Sequence, residues 1–266
     1  MYVQALQAFL ERARTQKKIK TLFTDIDDTL TDHGQLRENA YSALWNLHRA
    51  GVRVVPVTGR PAGWCEMIAR FWPVAGVVGE NGGFYFRYHD RKMKRHFVFD
   101  EATRRQNQQK LQLIQKEVLE AVPGCAVASD QFSRLMDLAI DFAEDVGPLA
   151  DSKIDQIVAV FKKHGAQAKV SSIHVNGWFG SYDKLSMCRE FAKAELSLDL
   201  DQQNSITAFV GDSPNDEPMF AFFENSFAVE NIKRFQDRLV SKPRYISSQT
   251  GGDGFVEIAE AILKTI

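Results

Sequence analysis

Leu22-Phe23-Thr24-Asp25-Ile26-Asp27-Asp28-Thr29-Leu30 decides how the chain is read, because a short apolar run drives straight into three carboxylates. Like charges a few ångströms apart repel, so such a cluster is costly unless a cation compensates it. On extended backbone the side chains alternate, which sends Asp25 and Asp27 one way and Asp28 the other. Two same-side carboxylates at the carboxyl end of a parallel strand sit where open α/β sheets bind ligands. Alone, the stretch reads equally well as an acidic turn or a helix cap.

Outward from it, short runs rich in β-branched residues at 20–25, 52–57 and 75–78 alternate with amphipathic stretches near 37–50 and 61–71. That alternation predicts a parallel sheet built from right-handed crossovers. It returns late in the chain, with strands at 206–210, 226–229 and 244–247 and helices near 184–196, 214–223 and 252–265. The middle differs. A hairpin at 84–99, turned through His89–Lys92, precedes a polar helix at 101–121. Strands at 125–130 and 134–142, a helix at 149–164 and strands at 167–171 and 173–179 follow. Helix–strand–strand given twice predicts an antiparallel sheet with helices on one face. The expected fold is α/β: a Rossmann-like parallel-sheet core, residues 1–86 and 179–266, with an inserted α+β cap at 87–178.

Composition narrows the function classes. The 266 residues are 44% hydrophobic and carry 33 Lys+Arg against 34 Asp+Glu, which suits a globular protein and excludes a disordered one. A net charge of −1 supplies no field to hold nucleic acid or an anionic membrane. No run approaches the ~20 apolar residues of a spanning helix. Residues 1–18 lack the unbroken apolar centre of a secretory signal. Cys65, Cys125 and Cys188 are far apart and fit small hydrophobes in a reducing cytoplasm. The basic hairpin tip Arg91–Arg95 has no interleaved aromatics and reads as a solvated loop or charge-guarded edge, not a nucleic-acid surface.

A second acidic cluster, Gly211-Asp212-Ser213-Pro214-Asn215-Asp216, also follows an apolar strand. Pro214 suits a first helical turn, and capping alone would account for Asp212 or Ser213. Two acidic clusters at two strand ends of one sheet are more economically a shared Mg²⁺ site, since that ion takes hard oxygen ligands. Thr58, in Val57-Thr58-Gly59-Arg60, sits between a strand and a helix, where its hydroxyl and nearby amides could meet an anion. Lys184 opens a helix at the unfavourable end of its dipole, which an anionic partner would explain.

In this order, Asp25-x-Asp27-x-Thr29, Thr58, Lys184 and Gly211-Asp212-x-x-Asn215-Asp216 resemble the four motifs of the haloacid dehalogenase superfamily. Glu80-Asn81-Gly82-Gly83 and Gly251-Gly252-Asp253-Gly254 resemble its sugar-phosphatase branch, where an α/β cap lies between the second and third motifs. The interval from Thr58 to Lys184 has room for such a cap. The resemblance implies a phosphatase acting through an aspartyl-phosphate, with Asp25 as nucleophile and Asp27 as general acid and base. It implies Mg²⁺ held by Asp25, the Asp27 carbonyl and Asp212, with Asp216 as a further ligand or anchor. Thr58 would bind a phosphoryl oxygen, Lys184 would neutralise charge, and Arg60, Asn81 and Asn215 become candidate substrate contacts. The expected substrate is a small phosphorylated metabolite, foremost a sugar phosphate, in the cytoplasm and without nucleic-acid or membrane partners. The alternatives are a phosphomutase of the same superfamily and a catalytically idle binding protein; the filled motif positions argue against the latter. Asp28 departs from the pattern, standing where many members have Gly. At the cap's exit, His174–Tyr182 offers aromatic faces with imidazole and amide groups to a sugar ring, or simply packs the hinge.

Overall fold

Leu22 and Phe23 are neighbours on one strand, point to opposite faces, and are both fully buried. A strand apolar on both faces needs helices above and below it, and the chain supplies them. The computed structural model describes residues 4–13, 17–171, 173–235, 237 and 239–266. It opens with β1 (Gln4–Ala5), α1 (Leu6–Ala13), β2 (Thr21–Thr24), α2 (Glu38–Arg49), β3 (Arg53–Pro56), α3 (Ala62–Phe71) and β4 (Val77–Gly79). Then come β5 (Phe84–His89), β6 (Lys92–Phe97), α4 (Glu101–Ala121), β7 (Ala126–Val127), β8 (Leu138–Asp141), α5 (Asp151–Lys163), β9 (Gln167–Val170) and β10 (His174–Trp178). The chain closes with α6 (Lys184–Leu196), β11 (Thr207–Gly211), α7 (Glu217–Phe222), β12 (Ser226–Ala228), β13 (Tyr245–Ile246) and α8 (Gly251–Leu263).

Six strands form one parallel sheet in the order β1-β13-β12-β11-β2-β3. Leu22, Val54 and Val210 face a core completed by α2 and α8, while Phe23, Val55 and Phe209 face one completed by α6 and α7. The expected strand at 75–78 is β4, joined to this sheet through a parallel bridge between Val57 and Val78. From there the chain turns into the antiparallel set β4-β5-β6, whose Phe84, Phe86 and Phe97 pack into the first core. The basic hairpin is more than a solvated loop: Lys94, Arg95 and His96 contact Glu195, Glu66 and Glu190 at 2.5, 2.7 and 2.6 Å.

The inserted sheet runs β7-β8-β10-β9 and is antiparallel throughout. Leu138, Ile140 and Val175 meet Leu111, Ile114, Ile157 and Phe161 of α4 and α5, so both helices cover one face. Alternation places Ala139, Asp141, His174 and Asn176 on the other face, the one turned to the parallel sheet. Two differences from the expected elements have local causes. β1 and α1 were not foreseen, because a two-residue strand carries no periodic signal. The run expected as strands at 125–130 and 134–142 is cut short by a turn at Gln131–Ser133 and by the side chain of Arg134 beneath it.

One glycine ties this architecture to the later site. Gly82 has φ of +101°, and a Cβ there would lie 2.0 Å from the carbonyl oxygen of Asp183, just before α6. Gly82→Ala is therefore expected to cost ~1–3 kcal/mol of stability, the usual range for a forced backbone conformation. Urea unfolding of variant and parent checks this, and coincident midpoints would contradict it.

Candidate active site

The carboxyl ends of β2 and β11 bring the two acidic clusters together. Asp25 leaves β2 with its backbone N–H donating to Val210 of β11 at 2.9 Å, so the two strand ends are locked in register. Oxygens of Asp25, Asp212 and Asp216 all lie within 4.8 Å of one another, and all three residues are buried. Lys184, the first residue of α6, reaches in from the far side of the insertion. Its ammonium donates to Asp25 Oδ1 at 2.7 Å and to Asp216 Oδ1 at 2.8 Å. The other Asp216 oxygen accepts the Asp212 amide at 3.2 Å. Gly211 must be glycine here, since a Cβ would sit 2.4 Å from that same oxygen.

With all three carboxylates ionised, one ammonium leaves two negative charges, the deficit a single divalent cation removes. Burial, more than the neighbouring Asp216 and Asp27, pushes the Asp25 carboxyl up to about 8 despite Lys184. Asp212 is also raised, by burial first and then by Asp25 and Asp216. Its Oδ2 is buried without a hydrogen-bond partner, and Arg234 Nη2 stands 4.0 Å away. An orphaned carboxylate oxygen in an all-oxygen cluster is the donor set a hard cation takes. The trio thus fits a metal such as Mg²⁺.

Asp27 points elsewhere. Arg60, which follows the strand end at Thr58, grips its carboxylate through Nε at 2.9 and 3.1 Å and through Nη2 at 2.8 Å. The same Nη2 donates to Glu144 of the inserted unit at 2.9 Å, and Nη1 lies 3.6 Å from Asp130. Glu144 in turn lies 2.9 Å from His174 Nε2, in an ion-pair contact that misses hydrogen-bond alignment. His174 and Arg60 together hold the Glu144 carboxyl down at about 2. Beside this runs a second latch. The buried Glu80 carboxylate accepts amides of Ala62, Leu135, Met136 and Asp137 at 2.5–3.1 Å. Arg134, fully enclosed, donates to the Gly59 carbonyl at 2.8 Å and to Asp137 and Asp130 at 3.0 and 3.1 Å.

Between the two sheets lies a cavity of about 20 Å³, walled by Asp25, Asp27, Arg60, Asn81, Asp212 and Asn215 from the core. Arg134, His174 and Asn176 close it from the insertion. Asn81 adopts φ of +54° and leaves its amide nitrogen buried and unpartnered beside the cavity. Thr58 is fully buried behind the lining; its oxygen accepts the Arg60 amide at 3.0 Å, which leaves its hydroxyl proton free to donate. Asp28 lines the adjoining cavity with Glu144 and Arg234. Its φ of +55° explains why glycine suits that position. Of the two readings of the cap's exit, Trp178 follows hinge packing: it is 2% exposed and stacks on Tyr182 at 5.5 Å. Glu80, Arg134, Asp137 and Glu144 were not foreseen. Their one signal is parity, since Asp137 and Asp141 share the face that carries His174 and Asn176 on the paired strand.

Comparison with known proteins finds likenesses to this capped α/β sheet and its acidic strand ends. Residues 22–122 match the family model of haloacid dehalogenase-like hydrolases. A phosphoglycolate phosphatase of Methanoculleus marisnigri is 27% identical over 245 residues, 90% of this chain and 94% of its own. A Thermoplasma acidophilum crystal structure superposes with a TM-score of 0.71 at 19% identity, over 93% of this chain and 100% of its own. Synechocystis sucrose-phosphatase, solved with sucrose and phosphate, does so with 0.63 at 17% identity, over 94% and 98%. Over residues 22–122 the chain is similar to the haloacid dehalogenase-like hydrolases, and over most of its length to a phosphatase.

The raised carboxyls make a pH prediction. Unfolded, Asp25 titrates near 3.8; folded and metal-free, it holds its proton to about 8. The folded state therefore binds the proton more tightly, and that stabilisation is full below the lower value and lost as pH rises through the higher one. Glu80, raised from 4.5 to about 8 by burial, acts in the same direction. Melting temperature in excess chelator is expected to fall from about pH 5 to about pH 8, and added Mg²⁺ to reduce the fall. A flat or rising profile would contradict it.

Proposed function

We propose that the protein is a Mg²⁺-dependent phosphatase that hydrolyses a small phosphate monoester, foremost a sugar phosphate, through an aspartyl-phosphate. The observation that carries this is the meeting of Asp25, Asp212 and Asp216 around one ammonium, with Asp27 close by on the same cavity. Asp25 attacks phosphorus, which splits one hard displacement into two easier ones. Asp27 gives a proton to the leaving oxygen and later takes one from the hydrolytic water. Lys184 holds the nucleophile in place and balances the charge gathered around it. Thr58 donates its free hydroxyl proton to a phosphoryl oxygen, and the unpartnered Asn81 amide is a second donor into the cavity. Asn215 is tied by its side chain to Ser213 at 2.5 Å, which orients the loop of Asp212. Mg²⁺ held by Asp25, Asp212 and Asp216, with the Asp27 carbonyl, would screen nucleophile from phosphate and stabilise equatorial charge.

The proposal takes residues 1–86 and 179–266 as the catalytic core and 87–178 as the cap. A cavity of about 20 Å³ has room for one water and none for a metabolite. Opening of the cap would admit substrate to this innermost cavity, and reclosure would shield the aspartyl-phosphate. A cap of this size, closing over the sheet edge, admits a metabolite when open and excludes a folded phosphoprotein. Among the described residues no helix is long and apolar enough to cross a membrane. The cysteines are free, in keeping with a reducing cytoplasm.

Phosphate release from a panel of sugar and other metabolite phosphates, phosphoglycolate included, tests the assignment. Asp25→Asn is expected to lower turnover by at least about 10³-fold with its melting temperature retained, because nucleophile and metal ligand vanish together. Excess chelator is expected to silence the parent and Mg²⁺ to restore it, with Ca²⁺ a poor substitute. Substantial turnover by Asp25→Asn, or full activity in chelator, would overturn the mechanism. A requirement for a bisphosphate activator would instead identify a phosphomutase.

A further inference from the structure

We infer that Glu144, on the cap, is a positioning residue that makes proton delivery by Asp27 depend on cap closure; this rests on the phosphatase function proposed for the site. The connecting group is the Arg60 guanidinium, which is 3% exposed and carries contacts from both sides of the cavity. From the core it takes the Asp27 carboxylate, through three contacts of 2.8–3.1 Å. From the cap it takes Glu144 Oε1 at 2.9 Å, on the same Nη2 that holds Asp27. Trp64 lies under its face, with the ring centroid 4.4 Å from Cζ. An arginine has a long, freely rotating stem; pinned on an edge and a face, it becomes a rigid bracket for Asp27.

Glu144 is itself held stiffly. Asp141 accepts the amides of Ala143, Glu144 and Asp145 at 2.8–2.9 Å, which folds the loop after β8 into a tight turn. The other Glu144 oxygen lies 2.9 Å from His174 on β10. Glu144 therefore moves with the cap as one body, and opening the cap takes it away from Arg60. Asp27 then rests on an arginine that has lost its cap-side contact, and misplacement of a reacting group by about 1 Å costs on the order of 10²-fold in rate. Closure restores the bracket. In the step it serves, an Asp25 oxygen bonds to phosphorus, the bond from phosphorus to the leaving oxygen breaks, and that oxygen takes the Asp27 proton. Asp27 is left as the carboxylate that Arg60 grips.

The leaving group separates this role from a merely structural one. A nitrophenolate departs without a proton, whereas an alkoxide needs one. Parent, Glu144→Gln and Glu144→Asp are compared on 4-nitrophenyl phosphate and on the alkyl phosphate that the parent turns over fastest. For Glu144→Gln, kcat on the alkyl ester is expected to fall about tenfold or more, and on the aryl ester less than about threefold. Glu144→Asp keeps the charge with a shorter reach and is expected to fall between. Equal losses on both esters mark a structural role and overturn the inference, as does no loss on either. Failure of the parent to hydrolyse either ester would overturn the phosphatase function and this inference with it.

Discussion

One buried ammonium holds the site together. Lys184 sits between Asp25 and Asp216 at 2.7 and 2.8 Å, joining the ends of two parallel strands to a helix that starts only after the insertion. Without it three buried carboxylates would face one another uncompensated, an arrangement whose desolvation and repulsion no local packing offsets. Much nearby structure serves to deliver that side chain. Asp183 caps α6 by accepting the Ser186 amide at 2.7 Å, and Gly82 lets a turn pass against the Asp183 carbonyl. Lys184 itself lies at the positive end of the helix dipole, which would be unfavourable for a solvated lysine; two carboxylates reverse the sign.

A second buried acid, Glu80, holds the cap to the core. One carboxylate accepts the amide at the start of α3 and three amides of the cap segment 135–137, so the two units share an anchor that neither could satisfy alone. Arg134 reinforces it by reaching the Gly59 carbonyl from the cap side. These contacts lie next to the turn that carries Thr58 and Arg60. Docking of the cap and shaping of the Thr58–Arg60 end of the cavity are therefore the same physical event.

The core and its motifs were legible because they are written in local pattern. Strands apolar on both faces, such as Leu22-Phe23 and Val54-Val55, predict two helical layers, and the acidic residues at their ends mark the ligand edge. Of the residues singled out in the sequence, Asp25, Lys184, Asp212 and Asp216 meet at the sheet edge. The cap's contribution was not legible, because it depends on which charges meet across a docked interface. Glu80 entered only as part of the Glu80–Gly83 stretch, with no role of its own, yet it is completely buried. Trp178 read with equal force as a sugar platform or as packing; burial decided for packing. The unplaced clue was a polar stripe on strands otherwise apolar: Asp141 pairs with His174, and Ala139 with Asn176.

The strand order has a consequence for synthesis. β2 lies between β3 and β11, so the strand that carries Asp25 gains its second neighbour only when residues 207–211 have been made. The cap's ladders, by contrast, close entirely between residues 126 and 178. On a ribosome that releases the amino terminus first, the inner unit can mature while the surrounding one still waits. During that wait one edge of β2 offers unpaired amides and carbonyls beside Phe23 and Leu22, the kind of edge that recruits other chains. Long-range pairing of this sort is also intrinsically slow. The nascent chain thus completes its carboxylate cluster only after the cap's ladders have all been made, and β2 stays open to aggregation until then.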